Sequence, residues 1–434
     1  MIKYITILSL ALLTPLAACA SVPATSQPVP RLKPIAVKTV PTKPAQIKPD
    51  ASQVERSQAE RFTAWKRDFI SRALAKGYDS NLLRATIGQA KINPKAILKD
   101  QTQPEFTRAI WVYVDGVMSD ARQNGGRAKL AKHAPLFTDL ENRYGVDRTI
   151  LTAIWGLESA YGKIQGTDNM VNSLSTLAFE GRRSKFGEQQ LFGILDILAA
   201  GDVRQEQLIG SWAGAMGMTQ FIPTTFRDYA VDYDNDGNKD LWANTGDALA
   251  STAYYLKRFG WRSTEPVTTE VILPKGFDYG LANGSKRTIS RWSAMGIRDM
   301  NGQNWSNDAL FLEAKLLIPA GANGPVFFTF KNFDVIKKYN NSTSYALGIN
   351  VLADTLQGKS AIKRDWPRAD KPLSLTQKKQ LQQALTDQGY STGGVDGMIG
   401  PNSRRAIRAW QRANAVPADG YVNQALLKKI MTRR

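Results

Sequence analysis

The chain reads as mainly α, with a small β insertion and a small helical module at its C-terminal end. Three observations predict this. Apolar residues recur at helical spacing through most of residues 52–259. Two later stretches, Thr268–Leu273 and Val326–Phe330, have the β-branched and aromatic character of strands. A polar, Pro-containing run at 358–372 then sets off a compact segment, 373–434, short enough to be only marginally stable alone. Hydrophobic residues make up 43% of 434 residues, so most of the chain has a core to build.

The first element is a leader, residues 1–19. Lys3 supplies a short positive region, and Ile5 to Ala18 is apolar but too short for a typical spanning helix. It closes on Leu16-Ala17-Ala18-Cys19, which resembles a bacterial lipoprotein box. In signals of that type the Cys becomes the lipidated first residue, which gives the chain's sole cysteine, Cys19, a role as a lipid anchor. Ordinary secretory cleavage nearby is the alternative. Ala20 stands where inner-membrane retention typically has Asp, so the periplasmic face of the outer membrane is the expected location. Residues 20–51 form a Pro-rich tether with almost nothing to bury. At polyproline rise it reaches on the order of 90 Å.

Folded structure is expected from Ser52, where Ser52 and Glu55 make a capping-box pattern. Phe62, Trp65, Phe69 and Ala73 follow at helical spacing and read as core. Further helices are expected over 79–90, 104–123, 134–144, 147–161, 187–200 and 246–259. In the β insertion, Leu312–Leu317 is expected to pair with Val326–Phe330 across a loop containing Pro319, Gly321, Gly324 and Pro325.

The formal net charge of +19 favours an anionic partner. No zinc-finger spacing or RNA-binding signature accompanies it, so nucleic acid is disfavoured. One Cys excludes a disulfide within the chain, and Cys19 lies in the leader. The single histidine, His133, sits among basic residues in GRAKLAKHAPLF and reads as a surface residue. Acid–base chemistry must then fall mainly to carboxylates or tyrosines.

One carboxylate stands out, in GLESAYGKIQG at 156–166. Asp147 can cap a helix running through Ile150, Leu151, Ile154 and Trp155. Ile154 and Leu151 lie four and seven residues before Glu158, so Glu158 projects from the apolar face near the helix C-terminus. Gly162 supplies a stop. Desolvation and the negative end of the helix dipole both oppose ionisation, leaving a proton donor near neutral pH. A structural Glu bonded to nearby backbone is the equal alternative. A second stretch, GSWAGAMGMTQFIPTTF at 210–226, carries Gly210, Gly214 and Gly217, so something bulky, either a neighbouring helix or a ligand, approaches its backbone closely.

These two stretches, with FDVIKKYNNSTSYALGINVLAD at 333–354, resemble the membrane-bound lytic murein transglycosylase B family, in its order and spacing over most of 56–357. The resemblance implies a lysozyme-like catalytic domain, taken as 52–357, that cuts the glycan strands of peptidoglycan. It makes Glu158 the single catalytic acid. It places Ser211, Gln220 and Tyr255 along the glycan cleft, and Tyr339, Asn340 and Tyr345 beside it. Arg182 and Arg183 match an arginine pair suited to lactyl or peptide carboxylates. Most glycosidases use a second carboxylate. No second acidic residue lies inside the matched motifs, though Asp168, Glu180 and Asp196 are near in sequence. The family uses one Glu as acid and then base, with the C6 hydroxyl of the muramic acid closing a 1,6-anhydro ring. A hydrolytic muramidase and a non-catalytic wall-binding scaffold are the other readings.

Between the motifs, VDYDNDGNKDLWANTGD places Asp232, Asp234, Asp236 and Gly237 at positions 1, 3, 5 and 6 of an EF-hand loop. Asn238 would offer its carbonyl, and Asp240 falls at position 9. Ala243 stands where a bidentate Glu is expected. The family has a longer loop here, which makes Asp247 the candidate closing carboxylate of a structural calcium site. An Asx-rich turn without metal is the alternative.

The C-terminal stretch LQQALTDQGYSTGGVDGMIGPNSRRAIRAWQRANAVPADG resembles the small helical peptidoglycan-binding domain type 1, a three-helix module. Pro401 suits a helix start, with Ile407 and Trp410 on its buried stripe. Such a module raises local substrate concentration. The expected partners are peptidoglycan glycan strands and a membrane holding the lipid anchor, with cell-wall synthesis or division proteins as further candidates.

Overall fold

The computed structural model describes residues 51–101, 109–360 and 362–432. Cys19 and nearly all of the tether lie outside them. Among the described residues no helix is long and apolar enough to cross a membrane.

Helix α1 (Ala51–Ala75) starts one residue ahead of Ser52, which therefore lies within its first turn rather than capping it. Phe62, Phe69 and Ala73 are buried, as their spacing predicts. The stretch expected as a helix over 79–90 is α2 (Ser80–Ala85), capped by Asp79, followed by a 3-10 turn at Ile87–Gln89. After α3 (Pro94–Gln101), the described part of the expected 104–123 helix is divided into α4 (Ile110–Val117) and α5 (Asp120–Lys132). Arg122 supplies a reason for the break. Its guanidinium donates to the carbonyl oxygens of Gly116 (2.6 Å) and Val117 (3.0 Å), satisfying acceptors that a continuing helix would use.

Helices α6 (Ala134–Tyr144) and α7 (Arg148–Ser159) follow the sequence expectation closely. A second group comprises α8 (Met170–Phe179), α9 (Ser184–Ala199), α10 (Pro223–Tyr229) and α11 (Thr245–Arg258). Two-residue strands β1 (Asp168–Asn169) and β2 (Ile209–Gly210) pair antiparallel at its edge.

The β insertion is larger than its three predicted strands. It contains β3 (Thr268–Ile272), β4 (Arg287–Thr288), helix α12 (Ile289–Ala294), β5 (Arg298–Asp299), β6 (Glu313–Leu317) and β7 (Phe327–Thr329). They form an antiparallel sheet in the order β4-β6-β7-β3-β5. The predicted hairpin is present, with Leu316 opposite Phe328. Val271, Ile289, Trp292, Ile297, Leu316 and Phe328 give the insertion its own core.

Helices α13 (Lys331–Tyr339) and α14 (Thr343–Leu356) return the chain to the main helical core. The final module packs α15 (Leu375–Asp387), α16 (Pro401–Ala413) and α17 (Gln424–Thr432) around Leu381, Leu385, Ile407, Trp410 and Ile430. The run 358–372, expected as a spacer, is laid against the helical core and the sheet through buried Trp366. The module touches the β insertion as well. Asp419 accepts from the Ala322 amide at 2.8 Å, and Tyr421 lies against Gly321.

Candidate active site

Helix α7 carries Glu158 on its last turn. Asp147 caps its start, accepting from the Thr149 amide at 2.7 Å. Ile150, Leu151, Ile154 and Trp155 are buried beneath it. The helix ends before the expected glycine. Ala160 (φ 50°) and Tyr161 (φ 63°) are already left-handed, and Gly162 (φ 84°) continues the turn. Left-handed non-glycine residues cost roughly 1–2 kcal/mol each, so the surroundings must hold them. The Tyr161 hydroxyl donates to the Arg122 carbonyl at 2.6 Å, and its ring stands edge-on to Trp155. Ser159 donates to the Met218 carbonyl at 2.5 Å and accepts from the Gly162 amide at 2.8 Å. The C-terminal end of α7 is thereby bonded to the second sequence stretch.

Glu158 is half-buried. Its Oε1 accepts from the Tyr345 hydroxyl at 2.6 Å. This bond runs to a side chain of α14, whereas the structural alternative called for backbone. Burial pushes the carboxyl up to about 7, and the Tyr345 hydrogen bond, which favours the ionised form, holds it from going further. The acid is therefore largely protonated just below neutral pH.

Tyrosines surround it. Tyr345 and Tyr339 both have hydroxyls pushed well up, first by burial and then by the negative charge of Glu158. Tyr339 donates to the Thr219 carbonyl and meets Tyr255 edge-on at 5.3 Å. Tyr255 donates to the Lys338 carbonyl at 2.7 Å. Tyr113, on α4, is raised by the same two causes. No motif marks Tyr113 in the sequence. It lies in an apolar run whose helical neighbours are core, and only the fold brings it to Glu158.

The other predicted residues are engaged with protein partners of their own. Ser211 is buried and accepts from the Ala215 amide at 2.9 Å. Gln220, left-handed at φ 53°, donates to the carbonyls of Gln165 (3.1 Å) and Gly217 (2.9 Å). Asn340 is buried where α13 ends. The bulky groups that the glycines admit include Leu174, against Gly214, and Leu241, against Gly217. Both are protein side chains. Arg182 and Arg183 converge on Asp100, with Nε–O distances of 3.6 and 2.9 Å. Arg183 also lies over the Trp212 ring. His133, expected on the surface, is half-buried and edge-on to Trp155 at 5.8 Å.

In the acidic loop, carboxylate oxygens of Asp232, Asp234 and Asp247 lie within 4.8 Å of one another. Asp247 is fully buried and accepts from the amides of Tyr233 (2.8 Å) and Asp240 (2.7 Å). Burial, and then Asp234 and Asp232, push it up to about 6 against those two amides. Asp236 accepts from the Asn238 amide, and Asp240 from those of Trp242 and Ala243, so both shape the turn. An all-oxygen set with crowded negative charge fits calcium.

Comparisons with known proteins identify both folded parts of the chain. A family model described as transglycosylase SLT domain matches residues 61–354, and a peptidoglycan binding domain matches 376–430. The chain is 33% identical over 213 residues to membrane-bound lytic murein transglycosylase B of Escherichia coli (strain K12). That match covers 48% of this chain, which spans just over half, 56%, of the relative's length. The crystal structure of SltB3 from Pseudomonas aeruginosa, in complex with NAG-anhNAM-pentapeptide, is 46% identical with a TM-score of 0.82, covering 85% of this chain and 99% of that one. An Escherichia coli lytic transglycosylase solved in complex with calcium is 28% identical with a TM-score of 0.58, covering 67% of this chain and 92% of that one. The helical domain is lysozyme-like, the module that follows matches wall-binding domains, and by the match that spans 61–354 the chain belongs to the transglycosylase SLT domain family.

Proposed function

We propose that the chain is a lytic transglycosylase that cleaves the β-1,4 bond between MurNAc and GlcNAc in peptidoglycan and leaves 1,6-anhydro-MurNAc ends. The observation that carries this reading is Glu158 itself. It is a half-buried acid whose carboxyl burial pushes up to about 7, hydrogen-bonded by Tyr345, and no other carboxylate is among the groups that shift it. Glu158 gives its proton to the bridging oxygen as positive charge develops at the sugar. The Tyr345 hydrogen bond strengthens as that proton leaves, because it binds the carboxylate better than the acid. The carboxylate then takes the proton of the muramic C6 hydroxyl, whose oxygen attacks C1. An intramolecular hydroxyl gains from proximity what a second carboxylate would otherwise supply. Two crystal structures of the 46%-identical SltB3 hold NAG-anhNAM-pentapeptide and NAG-NAM-pentapeptide, which supports both the substrate class and the product. Mass spectrometry of digested sacculi tests the reading. Anhydro-muramoyl ends are expected, and reducing muramic ends would make the chain a hydrolase instead.

The same reading assigns Asp232, Asp234 and Asp247 to a structural calcium ion, with Asp236, the Asn238 carbonyl and Asp240 completing the loop around it. The calcium complex of the 28%-identical relative supports this. It also makes Cys19 a lipid anchor at the periplasmic face of the outer membrane, in keeping with a relative described as membrane-bound. Labelling with a radioactive fatty acid checks the anchor, and an unlabelled chain would remove it. Residues 373–434 would hold the enzyme on its polymer, consistent with the domain match there.

A further inference from the structure

We propose that the segment 363–368 is a strap that positions Glu158, acting through helix α4. The inference rests on the reading of Glu158 as the catalytic acid. The strap is fastened to the sheet on one side and to α4 on the other. Main-chain amides of Lys363 and Arg364 donate to the two oxygens of Glu270, on β3, at 2.7 and 2.9 Å. The Trp366 ring, in a side chain only 8% exposed, neighbours Trp111 of α4 at 6.0 Å and Phe327 of β7 at 6.4 Å. Arg368 grips both oxygens of Asp115 on α4, one of them at 3.0 Å. Trp111 and Asp115 lie one helical turn apart, so the strap holds α4 at two adjacent points.

Helix α4 needs such support. Eight residues are fewer than an isolated helix requires in water, so packing alone sets its position. It also packs against α14 at Gly348. A Cβ there would fall 3.1 Å from Val117 Cγ2 and 3.2 Å from Tyr113 Cε1, so α4 rests directly on the α14 backbone. Gly348 is one turn beyond Tyr345, whose hydroxyl holds Glu158. A continuous set of contacts therefore runs from Trp366 and Arg368 through α4 and Gly348 to Tyr345 and the acid. If the strap is loosened, α4 can move off Gly348, Tyr345 loses its fixed seat, and water reaches Glu158. Removal of residues 358–434 therefore takes away more than the wall-binding module.

The test uses the full chain, with soluble glycan oligomers as substrate and intact sacculi for binding. Trp366→Ala is expected to lower kcat by about tenfold or more, since small misplacements cost that much, with KM nearly unchanged and sacculus binding retained. The alkaline limb of its pH profile should move to lower pH, because a hydrated Glu158 titrates nearer the ordinary carboxylate range. Trp366→Phe should restore most of the kcat. Arg368→Ala, at an exposed ion pair that the fold can lose, should give a smaller loss of the same kind, and Arg368→Lys should recover part of it. Folded Trp366→Ala and Arg368→Ala variants with normal kcat and an unmoved alkaline limb would overturn the strap, as would a loss confined to KM. If Trp366→Ala does not fold, the Arg368 pair decides alone. Glu158→Gln separates the two readings. If it stays active, the catalytic reading fails and takes the strap with it. If it is inactive while the strap variants are normal, only the strap fails.

Discussion

The Tyr345 hydroxyl and the Glu158 carboxyl meet at 2.6 Å, across an interface between helices far apart in the sequence. The bond opposes the effect of burial. Burial alone would raise the acid further, and Tyr345 tempers it to about 7, where one group can both give and take a proton near neutral pH. Removing the hydroxyl by Tyr345→Phe should therefore raise the pKa, by about one unit for a charge-assisted hydrogen bond. The alkaline limb of the pH–rate profile should move up by a similar amount while kcat falls. An unmoved limb would show that the bond does not act on the catalytic form. The direction is opposite to that expected when the strap is broken, so the two variants check each other.

Replacing the acid itself removes the proton donor. Glu158→Gln should lower turnover by about two to four orders of magnitude, the range that general acid–base catalysis supplies. The side chain keeps its size, so binding to sacculi should persist. Near-normal cleavage would remove Glu158 from the mechanism.

The same substitution has a stability signature. Glu158 has an ordinary value of 4.5 and a folded value of about 7. Between those values the folded chain keeps a proton that the unfolded chain has released. Stability therefore falls as pH rises through that window, and below it the difference vanishes. Glu158→Gln should then raise stability at pH 8 by about 2–3 kcal/mol and leave it nearly unchanged at pH 4. Denaturant unfolding at the two pH values checks this. Equal effects at both would mean that folding does not raise the carboxyl's pKa.

The seat of helix α7 can be tested at Ser159. Its hydroxyl is buried, gives a hydrogen bond to the Met218 carbonyl and receives one from the Gly162 amide. Ser159→Ala leaves both partners unmatched and should cost about 1–3 kcal/mol of stability. A change below about half a kcal/mol in chemical denaturation would show that other groups hold this turn.

How far the sequence reveals this site depends on how local each signal is. Glu158 was legible because four- and seven-residue spacing is a property of one helix. The core stripes of α1, α6 and α7 were legible for the same reason. Tyr345 and Tyr339 entered only through a resemblance, since nothing in their own neighbourhood points across the fold to α7. Tyr113 was missed because only the packing of α4 on α14 at Gly348 brings it to Glu158. The break between α4 and α5 was missed because Arg122, a good helix former, reaches back to cap the preceding helix. Strands β4 and β5 have two residues each, too few for alternation to register. Residues 358–372 read as a spacer by composition, yet one buried tryptophan and one ion pair bind that run to the core. Asp247 entered through the resemblance as well, since loop spacing alone put Ala243 at the closing position.

Calcium is expected to stabilise the loop between α10 and α11. Asp232, Asp234 and Asp247 lie within 4.8 Å of one another, and no Lys or Arg forms an ion pair with them among the described residues. Their mutual repulsion is a cost that a divalent cation removes. A ligand that binds only the folded state at a hundred times its dissociation constant adds about 2.7 kcal/mol. Chelation should therefore lower Tm by several degrees, and added calcium should restore it. Asp247→Asn should abolish the response, because it removes the buried carboxylate at the centre of the set. The uncharged variant relieves part of the repulsion, so without metal its Tm should equal or exceed that of the chelated wild type. A wild-type Tm indifferent to millimolar calcium, together with no heat in a calorimetric titration, would leave the loop as an Asx-rich turn.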